Sequence, residues 1–113
     1  MFNTERYEIM FTADKSDSFN LKTLKNGWNT AAQVVYGKAG IFVNGQFIER
    51  EIVYKNSMPS VIAYGVLSTR NPMIDTDETL YFEALREVVN NVKVILNYPF
   101  ISLSQLQVNA IIM

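Results

Sequence analysis

Apolar and polar positions divide this 113-residue chain into short alternating runs, one long helical stripe and an uncharged tail. Arg6–Ala13 carries Tyr7, Ile9, Met10 and Phe11 and predicts a first strand, closed by the polar turn Asp14-Lys15-Ser16-Asp17-Ser18. Phe19–Asn26 fits a short helix or an ordered loop. Leu21, Leu24 and Trp28 have helical spacing, but Gly27 weakens a helix that runs through it. Gln33–Tyr36 and Ile41–Val43 are β-like, with Gly37-Lys38-Ala39-Gly40 between them as a turn or a glycine-thinned strand. Asn44-Gly45 is the strongest local signal, because both residues tolerate the positive φ of a type I′ hairpin turn and apolar segments flank them. It is expected to pair Ile41–Val43 with Gln46–Lys55. Asn56–Ser60, with Pro59, ends that strand and Val61–Arg70 forms the next, which gives an antiparallel meander.

Asp75-Thr76-Asp77-Glu78 reads as a helix start, with Thr76 or Asp75 capping free N–H groups and acidic side chains suiting the helix dipole. The helix is expected to reach about Leu96. Leu80, Tyr81, Ala84, Leu85, Val88, Val89, Val92, Ile95 and Leu96 form a stripe wider than one contact surface needs. Asn97-Tyr98-Pro99 breaks it. Beyond the break, Leu106, Val108, Ala110 and Ile112 alternate as in a strand, while Leu103, Leu106, Ala110 and Ile111 fit a helix capped by Ser102. Both readings stay open.

Length and composition bound what such a chain does. One domain is expected over residues 1–113, mainly β over 1–74 and helical over 75–113, in an α+β class. Cysteine and histidine are absent, which excludes disulfide scaffolds, cysteine-ligated zinc, thiol nucleophiles and Ser-His-Asp triads. Ten basic and eleven acidic side chains give a net charge of −1 and argue against a polybasic nucleic-acid tail. Glu5, Arg6 and Glu8 interrupt any signal-peptide core, and the polar residues within Val94–Met113 rule out a membrane span there, so the chain reads as soluble.

Motifs for chemistry are scarce. G-x-S-x-G, P-loop and G-x-G-x-x-G patterns are missing, so an enzyme, a cofactor and a small-molecule substrate are not expected. Glu49 and Glu51 share a strand face but read as solvated charges rather than metal ligands. More suggestive is the grouping of tyrosines with basic side chains. Tyr36 with Lys38, Arg50 with Tyr54, and Tyr64 with Ser68 and Arg70 fall on strand faces that could stack bases and neutralise phosphates. No charged side chain follows Lys93, and an apolar stripe and tail of this kind commonly mark a subunit interface.

The order of meander, capped helix, proline break and apolar tail resembles the coat proteins of single-stranded RNA bacteriophages of the levivirus type. Ser60–Arg70, Asn71-Pro72-Met73-Ile74, Asp75-Thr76-Asp77-Glu78 and Asn97-Tyr98-Pro99-Phe100-Ile101 carry the likeness. The resemblance implies an interlocked homodimer that assembles into an icosahedral shell and binds a genomic RNA stem-loop on its inner sheet face, in the virion and in the host cytoplasm during assembly. It implies RNA contacts by Tyr36, Lys38, Arg50, Tyr54, Tyr64, Ser68 and Arg70. It also implies a dimer contact through Leu80, Ala84, Leu85, Val88, Val92, Ile95 and Leu106. A small single-strand-binding module and a phage-type protein adaptor or inhibitor are the alternatives.

Overall fold

A computed structural model of the chain describes residues 2–12, 19–52 and 61–111. Its elements are β1 (Phe2–Thr12), α1 (Leu21–Ala39), β2 (Gln46–Ile52), β3 (Val61–Thr69), α2 (Glu78–Ile95) and β4 (Phe100–Ala110). The strands form one sheet in the order β2-β3-β1-β4 with every neighbouring pair antiparallel. This β-α-β-β-α-β order is that of the ferredoxin-like split βαβ arrangement. The chain is thus α+β with an antiparallel sheet, but it is not a meander followed by helices.

Three segments depart from the expectation. Gln33–Tyr36 and the run to Gly40 belong to α1 rather than to strands. Asn20 opens that helix with a capping box: its side chain accepts from Thr23 N at 2.9 Å and Thr23 Oγ1 accepts from Asn20 N at 2.9 Å. Gly40, at φ 72°, closes it in the left-handed conformation that favours glycine. The helix passes through Gly27 because packing outweighs propensity there. A Cβ at Gly27 would stand 3.4 Å from Ile95 Cγ2, so the missing side chain lets α1 lie close on α2.

Asn44-Gly45 makes no hairpin turn. The Asn44 side chain donates to Thr69 O at 2.7 Å and accepts from Thr69 N at 3.1 Å, pairing with the end of β3 as a strand backbone would. Gly45 is needed for close approach, since a Cβ there would fall 2.9 Å from Val66 Cγ1 and 3.0 Å from Trp28 Nε1. The tail, finally, is a strand. Asn97 and Tyr98 both have positive φ, near 60°, and turn the chain out of α2. β4 then pairs with β1 along its whole length, from Phe2 opposite Ala110 to Thr12 opposite Phe100. Residues 1–74 therefore include a long helix, and residues 75–113 include a strand.

Alternation along β1 sends Tyr7, Ile9 and Phe11 to the helix side, and all three are fully buried. Across the register, Ser68, Val66 and Tyr64 of β3 share that side. Leu24, Trp28, Ala31, Ala32 and Val35 of α1 and Tyr81, Ala84, Leu85, Val88, Val89 and Val92 of α2 complete one core. The wide stripe of α2 thus meets two layers at once, the sheet beneath and α1 beside it. Asp77, rather than Thr76 or Asp75, caps α2 by accepting from Leu80 N at 3.1 Å. Among the described residues no helix is long and apolar enough to cross a membrane.

Candidate active site

Two regions concentrate polar or concave structure, at opposite ends of the sheet. At the end where β1 begins and β3 finishes, Glu5 and Arg70 form a buried ion pair. Arg70 Nε donates to Glu5 Oε2 at 2.6 Å and Nη2 donates to Oε1 at 3.2 Å, a two-pronged geometry. Arg70 Nη1 also donates to Asp75 O at 2.8 Å, and Thr4 Oγ1 donates to Arg70 O at 2.7 Å. Beside them the Ser68 and Tyr81 hydroxyls lie 2.8 Å apart, and Asn44 Nδ2 donates to Tyr81 Oη at 3.2 Å.

Every clear displacement of a proton affinity among the described residues falls in this cluster. The hydrogen bond from Arg70 holds the Glu5 carboxyl below its ordinary range, and Glu5 in turn holds the Arg70 guanidinium in its charged form. Burial pushes Tyr7 up to about 12 and raises Tyr81 and Asp75 as well. Such shifts often mark active sites. Here, however, no buried side-chain N or O among the described residues is left without a partner. It is a polar girder.

The other end holds a larger groove than the cleft of about 220 Å3 beside Asp75. An open groove of about 500 Å3 runs between the first turns of α1 and the end of α2, within the size range of small-molecule sites. Phe19, Thr23, Asn26, Gly27 and Thr30 form one wall, and Ile95, Leu96 and Asn97 form the other. Gly27 keeps the floor narrow, and the left-handed Asn97 carries the chain around the end of α2. Phe19 is packed from behind by Tyr64, with ring centroids 5.6 Å apart. The two helices are antiparallel, so the positive end of α1 and the negative end of α2 flank one cleft. The walls offer apolar surface, two amides and two hydroxyls.

Sequence reasoning pointed elsewhere. Its tyrosine–basic grouping does not form one surface. Tyr36 and Lys38 lie on α1, not on a strand, and Lys38 Nζ pairs with Glu87 at 3.2 Å. Arg50 lies on the sheet face away from the helices, 3.5 Å from Glu8, whereas Tyr64, Ser68 and Arg70 point toward the helices. Tyr64 is half-buried, and Ser68 and Arg70 are buried. Tyr54 lies outside the described residues. Of the expected dimer contact, Ala84, Leu85, Val88 and Val92 are buried in the chain's own core, whereas Leu80, Ile95 and Leu106 are exposed. In the sequence, Gly27, Phe19 and Asn97 read only as a helix weakener, a segment start and a break. Nothing in their spacing announces a groove, because the two walls lie some seventy residues apart. No group of three or more potential metal ligands occurs among the described residues.

Comparison with known proteins decides the family. The SAM lyase family matches over residues 2–113. The chain belongs to the SAM lyase family. Among solved structures it is similar to a phage SAM lyase in complex with S-methyl-5′-thioadenosine. That likeness has a TM-score of 0.58 and 7% identity, and covers 95% of this chain and 90% of that one. It is similar also to the de novo designed protein Foldit4, with a TM-score of 0.48, 7% identity and 92% and 94% coverage. No curated protein matches the sequence. Membership in a lyase family overturns the expectation of an RNA-phage coat subunit that is not an enzyme, and with it the shell, the RNA partner and the absence of a small-molecule substrate. The coat-protein likeness rested on an order of elements, and the true order differs from it at α1 and at β4.

Proposed function

We propose that this protein is an S-adenosylmethionine lyase whose substrate binds in the groove between α1 and the end of α2. The observation that carries this reading is the family match, which spans almost the whole chain. S-methyl-5′-thioadenosine, bound by the phage relative, is what remains of S-adenosylmethionine once its four-carbon amino-acid arm has left. In that reaction the Cγ–S bond breaks and its electron pair stays on sulfur, which becomes a neutral thioether. The arm's own carboxylate closes on Cγ to give a five-membered lactone, so no water enters the product. Two opposite charges, the sulfonium and the carboxylate, are consumed together. A cleft of low polarity favours such a step, because it weakens solvation of the charged reactant while leaving the less polar transition state largely unaffected.

The groove suits that substrate in three ways. Its volume accommodates a nucleoside thioether, Phe19 offers an aromatic edge, and Asn26 and Asn97 offer amides able to read an adenine rim. The helix ends flanking the cleft complement a ligand that carries a cation and an anion a few bonds apart. The test is chromatographic: purified protein is incubated with S-adenosylmethionine and S-methyl-5′-thioadenosine is quantified. Asn26→Trp and Thr30→Trp fill the groove from exposed helix positions and should lower kcat/KM by about tenfold or more, roughly 1.4 kcal/mol each, with thermal stability unchanged. Asn29→Trp, exposed on α1 but outside the groove, should leave activity intact. No thioether from the unaltered protein would refute the activity, whereas full activity in both groove variants would refute only the placement.

A further inference from the structure

The chain leaves α2 through a strained pair of residues beside the groove. Asn97 N donates to Val94 O at 3.1 Å and Tyr98 N donates to Lys93 O at 2.8 Å, the two bonds of a Schellman helix end. That motif calls for one left-handed residue, and Asn97, at φ 61°, supplies it. Tyr98 adds a second, at φ 59°. A bulky side chain rarely takes such a φ, and the residue before a proline, here Pro99, is normally held extended at negative φ. Nothing in the fold offsets the cost. Leu96 and Pro99 are buried and anchor the chain on either side, but Tyr98 is 65% exposed. Among the described residues its ring meets no other ring and its hydroxyl has no hydrogen-bond partner. Strain of this kind clusters at ligand clamps.

We infer that Tyr98 is a specificity-determining residue, whose ring stacks on the adenine of S-adenosylmethionine where the groove opens to solvent. This rests on the lyase reading and on the placement of the substrate between α1 and α2. Asn97 lines the groove, so the residue that follows it stands at the mouth. Phe19 belongs to the opposite wall and is buried, which leaves Tyr98 to supply an aromatic surface on the exposed side. Stacking needs only a π-face, which suits walls whose lining residues carry no charge. The two helix-end bonds fix the backbone that carries the ring, so less freedom is lost on binding.

Steady-state cleavage of S-adenosylmethionine, calorimetric titration with S-methyl-5′-thioadenosine and thermal melting of Tyr98→Gly and Tyr98→Phe test this. Tyr98→Gly should raise KM and the thioether's Kd about tenfold, the lower range for a lost stack, and leave kcat within about twofold. Its melting temperature should be no lower than that of the unaltered protein, since glycine takes positive φ freely. Tyr98→Phe keeps the ring and should hold KM and Kd within about twofold. Unchanged KM and Kd in Tyr98→Gly would overturn the inference. So would a phenylalanine variant as impaired as the glycine one, or a lower melting temperature for Tyr98→Gly, which would show that the ring serves the fold. No cleavage by the unaltered protein would refute the activity alone, because the titration reads the ring separately.

Discussion

Glu5 and Arg70 stand 65 positions apart in sequence and share two hydrogen bonds inside the fold. Such a pair stabilises chiefly by not being broken. Arg70→Met would leave a buried carboxylate alone and should cost about 3–5 kcal/mol in urea unfolding, whereas adding Glu5→Leu should recover most of the loss. A double variant no more stable than Arg70→Met would show that the pair is not the origin of the cost. The same cluster sets both arms of the pH profile. Glu5 is held below its ordinary range, so its contribution is complete above the unfolded value, about 4.3, and is lost as pH falls through the lower folded value. Asp75, shifted upward by burial, works against that loss because the fold accepts its proton more readily. On the alkaline side Tyr7 stays protonated to about 12, while the unfolded phenol ionises near 10. Stability should therefore fall as pH rises between those values, and Tyr7→Phe should flatten that arm in thermal melts. An unchanged slope would remove Tyr7 as its source.

At the scale of elements, what was legible in the sequence depended on whether local signals agreed with distant ones. β1, β3 and α2 were readable to within a few residues because alternation, capping and the proline stop coincide with what packs against them. α1 was legible only in its first turn. Its glycines look like breaks until Ile95, 68 residues on, is seen to occupy the space that Gly27 leaves. Asn44-Gly45 has the chemistry of a hairpin turn, but Thr69 claims the Asn44 side chain, and no nearest-neighbour rule sees that. Two glycine substitutions separate these causes. Gly37→Ala adds a Cβ into open space on an exposed helical turn and should stabilise by about 0.5–1 kcal/mol. Gly45→Ala drives a Cβ against Val66 and Trp28 and should destabilise by about 1–3 kcal/mol. Chemical denaturation measures both. Equal shifts would mean that propensity, and not contact, governs these positions.

For the molecule as a whole, the apolar surface of one helix has meaning only once the layers around it are known. The stripe of α2 is broad because the helix is lodged between a sheet and a second helix, which together bury seven of its nine positions while Leu80 and Ile95 stay exposed. The candidate site was illegible for a related reason. Its walls carry no histidine, no carboxylate and no motif, which fits the proposed reaction, in which a sulfonium leaves and the substrate's own carboxylate attacks. Chemistry of that kind asks a protein chiefly for a shaped binding surface, and shape is written across residues 19–30 and 95–97 rather than in any short run. The most direct measurement is mass spectrometry of both fragments formed from S-adenosylmethionine by a catalytic amount of the purified protein. The account predicts S-methyl-5′-thioadenosine in step with a four-carbon product one water lighter than homoserine; homoserine as the first-formed partner, or no cleavage at all, would contradict it.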